Sequence, residues 1–110
     1  MWVYEKRLQF PVNIKRPDPK AAQIIISQYG GPDGEMGASM RYLSQRYSMP
    51  DNKVAGLLTD IGTEELAHLE IVATMVHQLT RNLTPEQIMN SGFAPYYTDH
   101  TVGVWPQAGG

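Results

Sequence analysis

Residues 61–72 read IGTEELAHLEIV, an apolar stretch with two adjacent glutamates and a histidine at its centre. The direction in which those polar side chains point decides both the fold and the chemistry. The stretch lies within a helical pattern that opens after the turn SMPD at 48–51, where Asp51 is a suitable N-cap, and runs to about Arg81. A helix of roughly thirty residues is about 45 Å long.

At about 100° per residue, Val54, Leu58, Ile61, Leu69, Val72, Val76 and Leu79 all fall within about 40° of Glu65. Glu65 is therefore expected at the centre of the inward stripe. His68 lies about 60° to one side, still inward, whereas Glu64 sits at the edge, about 100° away, and Glu70 and His77 face outward. A carboxylate on an apolar face is costly unless it is paired, protonated or bound to a cation. The spacing Glu-x-x-His lets both side chains reach one metal from one helix. It equally lets the two satisfy each other, or a partner's arginine, in a polar layer of a bundle.

The segment before this helix has helical composition from Pro19 to Tyr47, with Asp18 as N-cap and an interruption, GGPDG, at 30–34. One helix or two fits residues 20–47. Around Glu35 the same arithmetic groups Ile24, Gln28, Gly31, Ala38, Ser39, Tyr42 and Arg46 on a mixed face. Glu35 reads either as a solvated glutamate favoured by a helix start or as a second metal ligand. One Glu from one helix plus Glu-x-x-His from another is half of the ligand set of a ferritin-like dimetal bundle. A twofold pair of chains supplies the other half, four Glu and two His around two metals. Oxygen-rich ligands with one imidazole per metal suit manganese or iron(II).

The expected fold is all-α, one domain over 1–110. It consists of two long antiparallel helices in a hairpin at 20–82, an extended arm at 1–19, a short third helix at 83–92 and a loop-like tail at 93–110. The arm carries three prolines and could include a short strand near Val3 to Leu8. Thr84-Pro85-Glu86-Gln87 is a capping box with proline in the first turn. Two helices cannot enclose a core, so the bundle is expected to be completed by dimerisation.

Composition narrows the partners. Nine Lys and Arg against eleven Asp and Glu give a formal charge of −2, without the basic stripe that nucleic acid requires. The chain has no cysteine, so metal chemistry falls to His and carboxylate. Charges interrupt MWVYEKRLQF where a signal peptide needs its apolar region, and no stretch has the length of a membrane span, so an intracellular protein is expected. Met36, Met40, Met75 and Met89 read as gap-fillers of the core, and His100 as a solvated loop histidine. Trp2, Tyr4, Tyr96, Tyr97 and Trp105 lie outside the periodic helices, where they anchor an interface or cover the core.

Three segments carry a resemblance: MWVYEKRLQFP, YGGPDGEMGASMRYLSQRY at 29–47 and GLLTDIGTEELAHLEIVATMVHQL at 56–79. Together they resemble the manganese catalases, and more closely the catalase-like proteins of the bacterial spore coat, over roughly residues 1 to 100. The resemblance implies that Glu35, Glu65 and His68 are metal ligands, with two manganese ions in a complete site, and that Tyr42 is a phenol of the layer behind them. It further implies disproportionation of hydrogen peroxide, spore coat proteins as partners besides a second copy, and a location in the mother-cell cytoplasm and the spore coat. Family members continue into a third and fourth bundle helix with further ligands, so this sequence looks like the first half of a catalase. Two functions follow: a catalase whose dimetal site a partner chain completes, or a structural coat protein with a vestigial or iron-binding site and no turnover.

Overall fold

The computed structural model describes residues 3–30 and 33–92. Within them the fold is helical throughout: α1 at Pro19–Ile25, α2 at Glu35–Gln45, α3 at Asn52–Thr80 and α4 at Pro85–Met89. Single 3₁₀ turns extend α1 over Ile26–Gln28 and α2 over Arg46–Ser48.

Each start has a local chemical cause. Asp18 accepts from the Ala21 amide at 3.1 Å, with Pro19 in the first turn of α1. Asp51 accepts from the Lys53 amide at 2.7 Å and opens α3. At α4 both halves of the capping box are present, Gln87 N–H to the Thr84 hydroxyl at 3.1 Å and Thr84 N–H to the Gln87 carboxamide at 2.9 Å. Met49 is extended, as a residue before proline must be, and that turns the chain from α2 into α3.

The first arm of the hairpin is broken in two. Gly34 is buried at the N-cap of α2, and a Cβ there would lie 2.3 Å from the Gly30 carbonyl oxygen, so the chain folds back on itself where only glycine fits. The break cancels the angular count across it. Ile24, grouped with Glu35 on a continuous helix, instead stands exposed on α1.

α2 and α3 pack antiparallel. Glu35 meets His68, Ser39 meets Gly62, and Arg46 reaches Thr59, so partners fall along α3 as they rise along α2. The crossing is close because Gly62 is buried there, with a Cβ at that position only 2.9 Å from Leu43. The apolar core lies at the other end of α3, where Val72, Val76 and Leu79 bury against Ala22 and Ile26. Burial of these few side chains is the main apolar driving force for docking α1 on α3. The inward stripe is thus closed over its C-terminal half, whereas Val54, at its N-terminal end, is exposed.

The arm lies along α3 without forming a strand near Val3 to Leu8. Among the described residues there is no sheet edge for it to pair with. The Gln78 side chain takes that role: its carboxamide accepts from Ile14 N–H at 2.7 Å and donates to the Val12 carbonyl at 2.9 Å. Arg81 donates to the Ile14 carbonyl at 2.8 Å, and Asp18 N–H to the Leu79 carbonyl at 2.7 Å.

Three of the methionines expected in the core, Met36, Met40 and Met89, are exposed. Met36 and Met40 lie on α2, Met40 to one side of the Ser39 and Leu43 face that meets Gly62, and Met89 lies on a five-residue helix too short to bury a face. Trp2 and the tail with Tyr96, Tyr97, His100 and Trp105 lie outside the described residues. No helix among the described residues is long and apolar enough to cross a membrane.

Candidate metal centre

Glu35 is the first residue of α2, and Glu65 and His68 lie one turn apart in the middle of α3. The antiparallel crossing brings all three together, each offering one ligand atom within 4.8 Å of the others. His68 Nδ1 lies 3.2 Å from Glu65 Oε2 and 3.7 Å from Glu35 Oε2. The Glu65 side chain is 12% exposed, that of Glu35 26% and that of His68 37%. The cluster is therefore closed on the α2 side and open at its histidine.

The two carboxylates interact as an acid and its conjugate base. A hydrogen bond to Glu65, then desolvation and the Glu65 charge, push Glu35 up to about 6. The same hydrogen bond holds Glu65 below the usual carboxylate value, helped by His68 and by the positive charge of Arg41, against the opposing effect of burial. The helix start that would ordinarily favour an ionised Glu35 is outweighed by the neighbouring negative charge. A protonated Glu35 donating to an ionised Glu65 is what two adjacent carboxyls adopt when only a proton neutralises them. A divalent cation can take that proton's place, because two carboxylates and an imidazole are hard and borderline donors suited to manganese or iron. The donor set fits the metal.

Tyr42 shares the Glu35 face of α2, about 20° away after seven residues, and is half-buried. Among the described residues no hydrogen bond joins its hydroxyl to Glu35, Glu65 or His68. Glu64, adjacent to Glu65 in sequence, is exposed and accepts a hydrogen bond from the Gln9 carboxamide of the arm. Glu70 holds the Tyr4 phenol, and its charge raises the pKa of that phenol. These contacts line a groove of about 820 Å³ between arm and α3, on the opposite side of α3 from the cluster. Arg41 escaped the sequence reading because its influence on Glu65 crosses between helices and leaves no mark in local spacing.

The profile of the family described as manganese containing catalase matches residues 1–106. The chain belongs to the manganese catalase family. It is 58% identical to protein CotJC of Bacillus subtilis strain 168 over 100 residues, 91% of this chain and 52% of CotJC. A probable manganese catalase of Clostridium acetobutylicum is 37% identical over 116 aligned positions, 96% of this chain and 52% of that protein. The crystal structure of wild-type KatB, a manganese catalase from Anabaena, matches with a TM-score of 0.76 at 32% identity, over 86% of this chain and 43% of KatB. The chain covers 52% of the length of each of these two curated relatives, about half. Its all-α, ferritin-like fold class is the one expected from the sequence.

Proposed function

We propose that Glu35, Glu65 and His68 are ligands of a dinuclear manganese centre that disproportionates hydrogen peroxide to water and oxygen. The convergence of these three side chains within 4.8 Å, from two helices and 30 positions apart in sequence, carries the reading. When bound, the metal pair supplies a two-electron couple through which peroxide is alternately oxidised and reduced. The chain contributes the rest. Glu35 and Glu65 offset the cationic charge, each with two oxygens able to bridge or terminate. Below a pH of about 6, Glu35 must first release its proton. His68 presents Nδ1 to both carboxylates and is the neutral ligand. The hydrogen bonds with Glu35 and His68, with a smaller contribution from the Arg41 charge, favour the ionised Glu65 that a metal requires. Tyr42 is proposed to orient a carboxylate or relay a proton from the layer behind.

Oxygen release from hydrogen peroxide by protein purified with manganese tests the activity. Elemental analysis of protein made with manganese and iron both supplied separates a manganese centre from an iron centre on the same ligands. The identity to CotJC, with the resemblance to catalase-like coat proteins, supports a protein made in the mother-cell cytoplasm and destined for the spore coat. A fluorescent fusion imaged through sporulation tests that location.

The exposure of Val3, Phe10 and Tyr47 favours a second reading, an assembly role in which these side chains contact neighbouring coat proteins and the metal site is vestigial. Coat incorporation of a Glu65→Ala protein at parental level, with no oxygen release from the parent, would support it.

A further inference from the structure

We infer that Ser39 is a positioning residue of the Glu35, Glu65 and His68 cluster: its hydroxyl, bonded to the Gly62 carbonyl across the helix crossing, holds the turn of α3 that carries Glu65 in register with Glu35, so that both carboxylates reach one cation. The inference rests on the metal reading above and adds to it a residue that is not itself a ligand.

Ser39 is the one buried residue of α2, 3% exposed, and its hydroxyl donates to the Gly62 carbonyl at 2.7 Å. A hydroxyl in a helix interior commonly satisfies itself on the carbonyl four residues back. Thr59, Thr63, Thr74 and Thr80 of α3 all do so, donating to the carbonyls of Ala55, Thr59, Glu70 and Val76. For Ser39 the corresponding carbonyl belongs to Glu35, yet the hydroxyl crosses to α3.

The position of this bond gives it a consequence for the cluster. Helical pairing runs from the Ser39 amide to the Glu35 carbonyl on α2 and from the Leu66 amide to the Gly62 carbonyl on α3, and the second bond closes the turn that contains Glu65. The Ser39 hydroxyl joins the two, so one run of hydrogen bonds links the backbone of Glu35 to the turn of Glu65. Leu43, one turn further along α2, also meets Gly62. Apolar contact is non-directional and tolerates sliding or rotation of α3 beneath it, whereas a hydrogen bond fixes both. Groups behind metal ligands that hold their orientation typically change metal affinity by roughly tenfold to a hundredfold.

Titration of the full chain with manganese(II) chloride, read by the electron paramagnetic resonance of the free ion, tests this beside circular dichroism and urea unfolding. Ser39→Ala removes one oxygen and installs a better helix former, and the Gly62 carbonyl keeps its partner within α3. Its helicity and urea midpoint should therefore stay close to the parent's while manganese affinity falls about tenfold. Ser44→Ala, exposed on the same helix, should match the parent in every measurement. Val76→Ala, in the apolar core toward the C-terminal end of α3, should do the reverse of Ser39→Ala, lowering the urea midpoint and leaving the affinity of the folded chain at the parent's level. A folded Ser39→Ala protein that binds manganese as tightly as the parent overturns the inference and leaves the metal reading intact. Loss of helicity in Ser39→Ala, or an affinity that falls in step with the urea midpoint in both Ser39→Ala and Val76→Ala, also overturns it, because the hydroxyl then serves the fold alone. A parent that takes up no manganese removes the metal reading, and the role of Ser39 with it.

Discussion

Ser39 donates its buried hydroxyl to the Gly62 carbonyl at 2.7 Å, one turn along α2 from Glu35 and three residues before Glu65 on α3. This contact and the close fit of Leu43 over Gly62 hold α2 against α3 next to the two carboxylates. The catalytic reading therefore depends on two small residues that bear no chemistry of their own.

Replacing Gly62 with leucine forces a side chain into the space held by Leu43 and pushes the helices apart. Stability to urea should fall by about 2 kcal/mol, and manganese affinity should fall with it. Gly56 is the matched control, since a Cβ there meets nothing within 4 Å. Gly56→Ala should hold or gain up to about 1 kcal/mol from helix propensity. Equal loss in the two variants would show that helix content rather than the crossing governs stability.

Gln78→Ala removes both hydrogen bonds that hold Val12 and Ile14. Each contributes roughly 1 kcal/mol, leaving the Arg81 contact to the Ile14 carbonyl as the remaining side-chain tether there. Trypsin cleavage after Lys15 should accelerate several-fold while α-helical content stays constant. An unchanged cleavage rate would mean that the arm is held mainly by other contacts.

Glu65→Ala should abolish metal binding, whereas Glu64→Ala should leave it nearly intact. Glu65 faces Glu35 and His68, while Glu64 bonds to the arm. Elemental analysis of both purified variants decides this, and equal loss of metal would count against the ligand assignment.

Protons and metal compete at Glu35. Its carboxyl, normally at 4.5, stands at about 6 in the folded chain. The folded metal-free protein therefore holds a proton that the unfolded chain releases between those values, so this contribution to stability is full below about 4.5 and is lost as pH rises through about 6. Glu65, held low, contributes in the opposite sense: its stabilisation is present above the ordinary carboxylate range and is lost as acid protonates it. Manganese must displace the Glu35 proton, so apparent affinity should rise with pH through about 6 and level off above it, with proton release on binding. Calorimetry in buffers of different ionisation enthalpy reads that proton directly.

The sequence revealed α3 and its Glu65–His68 pair because a long amphipathic helix repeats its signal over many turns. Glu35 was harder, since the chain folds back at Gly34 and periodicity cannot be carried across that break. The arm was least legible. Its place on α3 depends on single long-range polar contacts from Gln78, Arg81 and Glu64, and such contacts have no period. The methionines misled because hydrophobicity alone does not distinguish a face that packs within the chain from one that stays open, as Met40 does.

Metal content per chain, measured by elemental mass spectrometry on protein made with manganese and iron both supplied, tests the central claim most directly. The account predicts bound manganese, retained through gel filtration and lost in Glu65→Ala. Parent protein without bound metal would contradict it, leaving Glu35, Glu65 and His68 as a proton-sharing polar layer of the helical hairpin.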